Sequence, residues 1–262
     1  MRCPVCGRPQ LLDLFSCAGG AGMGYRRAGF CVTAVDLNRP SAYPAGEFHR
    51  AGAFPVLRHL IRYGHVFGRR FAAVHTSPPC QNESALTKGN RKRKGWTDRH
   101  APMIGPTREL LEQTGLPYVI ENVQGAPLRR DLTLCGEQFG LDVIRHRYFE
   151  LGNWSTAPLP HVPHRGRVAG WRHGEKFAGP YVAVYGDGGG KGNVADWQRA
   201  MGIDWTTDKR ELAEAIPPAF TSFVGARLLE HLQERTVAQW QPPGTCDLCL
   251  PGVLCDMHAV PA

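Results

Sequence analysis

Residues 11–24 read LLDLFSCAGGAGMG, and this stretch decides the architecture. Its first five positions are apolar apart from Asp13, as expected of a strand buried on both faces. Gly19, Gly20, Gly22 and Gly24 follow, giving the backbone freedom that a tight turn and a close approach to a ligand need. A second strand-like run, FCVTAVD (30–36), ends in Asp36, where a carboxylate can accept hydrogen bonds from ribose hydroxyls. The Gly-Lys-Ser/Thr ending of a phosphate loop is missing, and the spacing is not a clean dinucleotide fingerprint. Read alone, the turn fits a nucleoside-bearing ligand or an ordinary glycine loop beside a solvated acid.

Two further buried strands are expected at FAAVH (71–75) and YVIENV (118–123). Between them TRELLEQTG (107–115) has the apolar pairing of a helix, with Pro106 near its start and Gly115 as its stop. Short buried strands alternating with helices predict an α/β chain: a mostly parallel sheet with helices on both faces. The pattern changes after Phe149. Residues 151–207 are rich in Gly, Pro, His and Trp and read as a loop-rich insert with one strand at YVAVY (181–185). Helical patterning returns over 208–236, interrupted at Pro217 and Pro218, with Phe220, Phe223, Val224 and Leu228 on one face. The organisation is therefore a cysteine-bearing start (1–10), a main domain (11–150), the insert, the helical return, and a cysteine-containing tail (237–262).

A chain of 262 residues fills one hydrophobic core with a small appendage. No apolar run approaches a membrane span, and MRCPVCGRPQ (1–10) has no apolar export segment, so a cytoplasmic monomer without a membrane partner is expected. Nine cysteines, an odd number, favour free thiols and metal ligands over disulfides. The formal charge of +8 is compatible with nucleic acid. Its distribution is more informative: KGNRKRKG (88–95) sets Lys88, Arg91, Lys92, Arg93 and Lys94 in a stretch without apolar residues. That run is either a solvated loop or a phosphate-backbone contact.

In HTSPPCQNES (75–84) a thiol stands behind two prolines and ahead of a polar run, the setting of a nucleophile held at a strand end. This stretch, together with DLFSCAGG (13–20), ENV (121–123), RHR (145–147) and AIPPAFTSFVGARLL (215–229), resembles the DNA cytosine-C5 methyltransferases. The resemblance is to a compact phage- or bacterial-type member. It implies a Rossmann-like S-adenosylmethionine-dependent methyltransferase fold, with 151–207 as a short target-recognition insert. It also implies double-stranded DNA as partner.

By position, the resemblance makes Cys80 the nucleophile that attacks C6 of a flipped cytosine and Glu121 the carboxyl group that engages N3 and the exocyclic amine. Arg147 resembles the residue that reaches the base O2, and Arg145 the arginine that supports the site. The cofactor pocket is expected from Asp13, Phe15, Ser16, Cys17, Ala18, Gly19 and Gly20, joined by Asp36, Leu37 and Pro78. DNA contacts are expected from Gln81, Ser84 and the basic run, and in the insert from Arg165, Arg167 and Arg172. An insert this short implies a GC-rich site of roughly two to four base pairs, read by arginine and lysine donors.

The chain departs from the family pattern at three positions. Cys17 replaces a common glycine, Gly52 stands where an aspartate usually contacts adenine, and Ala72 replaces a frequent aspartate. The terminal CPVC and CDLC pairs have metal-knuckle spacing, so Cys3, Cys6, Cys246 and Cys249 are expected to share one structural zinc. A local set of Cys246, Cys249, Cys255 and His258 is the alternative. Two other functions compete with DNA methylation: an RNA (tRNA) cytosine-C5 methyltransferase, and a non-catalytic DNA-binding protein on the same scaffold.

Overall fold

The computed structural model describes residues 1–79, 102–172, 174–185 and 192–239. Strand β1 (Gln10–Leu14) is buried along its whole length. It lies between β2 (Cys31–Asp36) and β4 (Ala73–Thr76), parallel to both. The short β3 (Glu47–Arg50) pairs with β2, and β5 (Tyr118–Val123) with β4, also in parallel. Beyond β5 the sheet continues antiparallel through β7 (Arg147–Gly152) to β6 (Leu132–Leu134). The full order is β3-β2-β1-β4-β5-β7-β6.

Alternate residues of the parallel strands point to opposite faces, and each face has its own core. Leu12, Leu14, Val35, Val74 and Ile120 pack with helix α2 (Ala53–Tyr63) and with Ile104 and Leu111 of α3 (Ile104–Thr114). Leu11, Val32, Ala73 and Val119 pack with Tyr25 of α1 (Gly20–Ala28) and with Phe220, Val224 and Leu228 of the last helix. This double burial explains why the strands read as apolar runs instead of alternating patterns.

The last helix packs directly against α1, and the glycines of α1 allow it to do so. A Cβ on Gly24 would lie 2.0 Å from Thr221 Oγ1, and one on Gly20 would lie 2.1 Å from the Ile216 carbonyl oxygen. The Thr221 hydroxyl donates to the Ala21 carbonyl at 2.8 Å. At these two positions the glycine-rich stretch therefore serves close packing, Gly24 against the last helix and Gly20 against the segment that leads into it, not an opening toward a ligand.

The insert is more ordered than its composition predicts. It carries a hairpin, β8 (Gly170–Arg172) with β9 (Glu175–Phe177), and a helix α4 (Val194–Met201). Asn193 caps α4 by accepting from the Asp196 backbone at 2.9 Å. Helix α5 (Lys209–Glu214), capped by Asp208, leads into α6 (Pro218–Gln239). Trp197, Met201, Ile203 and Leu212 form a third core with Val143 and Val184. The strand expected at YVAVY is absent. Tyr181 makes a single bridge to Val168, and the Val182 N–H donates to the Asp142 carbonyl, so no neighbouring strand forms a ladder there. Among the described residues no helix is long and apolar enough to cross a membrane.

Candidate active site

The carboxyl ends of β1, β2, β4 and β5 share one edge of the sheet. The connections after β1 and after β4 leave in opposite directions, toward β2 and toward β5, which opens a crevice at that edge. The turn after β1 is conformationally strained. Phe15 and Cys17 have φ of 58° and 46°, left-handed values that cost a non-glycine residue roughly 1–3 kcal/mol. Long-range bonds hold it in place. The Ser16 N–H donates to the Val35 carbonyl at 3.2 Å, and the Cys17 N–H donates to Asp36 Oδ2 at 3.0 Å. The Trp205 indole donates to the Ala18 carbonyl at 2.7 Å. Asp36 also accepts from the Asn38 N–H at 3.0 Å, so it clamps the end of β2 to the turn as well as facing the crevice.

The residues expected to hold the cofactor fit a nucleoside-bearing group. Asp36 is only half-buried, Leu37 is 64% exposed beside it, and the Ser16 hydroxyl is buried with no protein partner. Gly52, as the N-cap of α2, adds no side chain: a Cβ there would lie 3.9 Å from Leu37. Two elements invisible to local pattern complete the wall. Tyr43 lies over Gly19, where a Cβ would come 2.8 Å from its ring. Glu211 accepts from Ser41, which ties the loop after β2 to α5.

Asp13 lies beneath this turn and is fully buried. Burial pushes its carboxyl up to about 8, against bonds from the Tyr43 hydroxyl, 3.5 Å away, and from the Gly22 N–H, with Asp36 repelling its charged form. In the unfolded chain it titrates near 4. Between these values the folded state keeps a proton that the unfolded state releases, so this group's contribution to stability falls as pH rises. Asp13→Asn, which mimics the protonated acid, should gain on the wild type by up to about 1.4 kcal/mol per pH unit between pH 5 and 8. Urea unfolding at each pH checks this, and a stability difference independent of pH would refute it.

At the end of β5, Glu121 is 4% exposed. Val123 pairs with Arg147 in the register, so Glu121 and Arg147 are diagonal neighbours on one face. Arg147 Nε lies 2.9 Å from Glu121 Oε1. Burial raises the Glu121 carboxyl above its usual range, while Arg147, Arg145 and the Ser77 hydroxyl oppose the shift. Arg145 donates to the carbonyls of Val184 and Ala213, joining the start of β7 to the insert and to α5. Asn122 donates to the Pro78 carbonyl at 2.8 Å, which fixes the chain two residues before Cys80. Cys80 itself, Gln81, Ser84 and the basic run at 88–94 lie outside the described residues.

A polar chain runs under the site on the α1 face of the sheet. Tyr25 Oη and His75 Nδ1 are 3.0 Å apart, and His75 Nε2 and Ser77 Oγ are 2.9 Å apart. Burial lowers the His75 imidazole to about 3, so it is neutral near pH 7. His75 closes the apolar run FAAVH, and its partners meet it only through the fold.

In the insert, Arg165 is paired with Glu137 at 2.8 Å and with Asp142 at 3.4 Å, so its charge is balanced within the protein. Arg167 lies over the Phe177 ring, and Arg172 is on β8. At the other end of the chain, the Cys3 and Cys6 thiols converge with Cys31, which the spacing of the knuckles did not reveal. Cys246, Cys249, Cys255 and His258 lie outside the described residues.

No family model and no curated protein matches the sequence. Among solved structures, the chain is similar to an E. coli prophage-encoded protein described as a DNA modification methyltransferase. The TM-score is 0.52 at 14% identity, covering 86% of this chain and 99% of that one. A triple mutant of Spodoptera frugiperda DNMT2 matches at a TM-score of 0.38 and 18% identity, over 60% of this chain and 56% of that one. A SAM-dependent methyltransferase from Agrobacterium tumefaciens matches at 0.28 and 21%, over 45% and 39%. The last two overlays are too partial to carry an argument. The strand order and the overlay on the prophage protein give the conclusion: the chain shares that protein's fold, a mostly parallel seven-stranded α/β sheet with helices on both faces.

Proposed function

We propose that this protein is a DNA cytosine-C5 methyltransferase that uses S-adenosylmethionine. The observation that carries the reading is the buried Glu121–Arg147 pair, set at the sheet edge beside the Pro78 loop that leads to Cys80. The Phe15–Gly19 turn, Asp36 and Leu37 would hold the cofactor, which would supply an electrophilic methyl group.

Cytosine C5 is a poor nucleophile until a thiolate adds at C6. The Cys80 thiolate forms that bond, and the displaced ring electrons move toward N3 and O2. Glu121, whose burial favours its protonated form, donates at N3 and accepts from the exocyclic amine, while Arg147 faces O2. C5 would then take the methyl group as its bond to the sulfonium sulfur breaks, leaving a neutral thioether; a base would remove the C5 proton, re-forming the C5–C6 double bond as the C6–S bond breaks and the thiolate returns. The reacting base must leave the duplex, at a cost of a few kcal/mol. The basic run at 88–94 and the insert are the elements that would hold the opened DNA.

Labelled-methyl transfer to duplex DNA, measured beside tRNA, tests the assignment. Label should enter DNA, at C5 of cytosine. Label in tRNA alone would move the protein to RNA methylation, and tight DNA binding without transfer would leave only the scaffold reading. The zinc expected at Cys3 and Cys6 remains part of the proposal, with Cys31 added as a candidate ligand.

A further inference from the structure

Cys135, His146, His161 and His164 come together from three separate segments of the chain. Cys135 follows β6 and opens a 3-10 turn (Gly136–Phe139). His146 precedes β7, between the two arginines of the site. His161 and His164 stand in HVPH, at the start of the insert. One donor atom from each residue lies within 4.8 Å of all the others.

Two of the separations match those of a coordination shell. His146 Nε2 and His161 Nε2 are 3.1 Å apart, and Cys135 Sγ and His164 Nε2 are 3.4 Å apart. Tetrahedral zinc, with bonds of about 2.0–2.1 Å to nitrogen and 2.3 Å to sulfur, sets neighbouring donors about 3.3 Å (N–N) and 3.5 Å (N–S) apart. Hydrogen bonding alone would satisfy these groups in pairs and would not require all four donor atoms to lie within 4.8 Å of one another.

The surroundings hold the donors in place. The Cys135 N–H donates to Gln138 Oε1 at 2.6 Å, and Gln138 Nε2 donates to the carbonyls of Leu159 and Pro160 at 3.1 and 3.0 Å. The Arg165 N–H donates to the Tyr181 hydroxyl at 2.8 Å, and the Tyr181 ring packs edge-on to His164. Ligands fixed by such neighbours are typical of a built metal site.

We propose that Cys135, His146, His161 and His164 bind a structural zinc ion that fastens the insert to the strand bearing Arg145 and Arg147. One thiolate and three imidazoles suit zinc, and four protein ligands leave no open position for catalysis. Binding displaces the Cys135 thiol proton to solvent and involves no redox change. The proposal is independent of which base or nucleic acid the enzyme modifies.

The test uses the whole chain, made without chelator, with zinc counted by native mass spectrometry. His161 is exposed, so His161→Ala leaves the packed core alone. It should lose one zinc per chain relative to the wild type, and His161→Cys, which restores a ligand, should regain it. Full zinc retention in His161→Ala would overturn the proposal, because the Cys3, Cys6 and Cys31 cluster is untouched by that change. A second measurement uses cobalt. In a background with Cys3, Cys6, Cys246 and Cys249 all changed to serine, cobalt-loaded protein should show a thiolate-to-cobalt absorption band that His161→Ala weakens and Cys135→Ser abolishes. A cobalt-treated background protein with no such band would also overturn it.

Discussion

Replacing Cys80 with serine is expected to lower methyl transfer at least about a hundredfold while leaving the fold and cofactor binding intact. At neutral pH a serine hydroxyl is a far poorer attacking group than a thiolate, and the size change is small. The pinning of Pro78 by Asn122 predicts that the loop before position 80 is undisturbed, so the loss should appear in kcat and not in cofactor affinity. DNA carrying 5-fluorocytosine at the recognised site should trap the wild-type protein covalently, because no C5 proton is available for the elimination step. The serine variant should form no such adduct. Serine protein with more than about a tenth of wild-type turnover, below the usual range of such effects, would remove Cys80 from the chemistry.

The second large effect is expected at Glu121. Glu121→Gln keeps an acceptor for Arg147 and the same shape, but removes the proton that the reading assigns to N3. Transfer should fall about 10²–10⁴-fold with little loss of stability. Glu121→Ala separates the two roles. Arg147 and Glu121 have side chains only 13% and 5% exposed, so the alanine variant leaves a guanidinium buried without its carboxylate. That should cost about 3–5 kcal/mol of stability as well as activity. Methyl-transfer rates read beside denaturant unfolding distinguish the two variants. Glutamine protein of near wild-type activity would show that Glu121 serves only as a structural partner of Arg147.

Much of the main sheet can be read without coordinates. YVIENV is β5 to the residue, and LLDLF, FCVTAVD and FAAVH fall within one or two residues of β1, β2 and β4. These strands are buried on both faces, so each carries its signal in its own few residues. The edge strands β3 and β6, and β7 between β5 and β6, have no such signal. EFHR is half-exposed, and RHRYFE reads as mixed polarity because two of its polar groups, Arg147 and Glu150, are buried in ion pairs: Arg147 with Glu121, and Glu150 with Arg108 and Arg129.

The same division runs through the site. Glu121, Arg145 and Arg147 stand out because they belong to short recognisable strings, and so does Asp36 at its strand end. What each one touches was decided elsewhere. Asp36 spends its carboxylate on the turn nineteen residues before it, Arg145 reaches the insert and α5, and Arg165 is balanced by Glu137 and Asp142. Nothing local connects HVPH to Cys135 or to His146. Strand periodicity, turn glycines and caps are written over a few neighbouring residues. A coordination shell, a buried ion pair or the Tyr25–His75–Ser77 chain depends on which strands lie side by side, and only the closed sheet decides that.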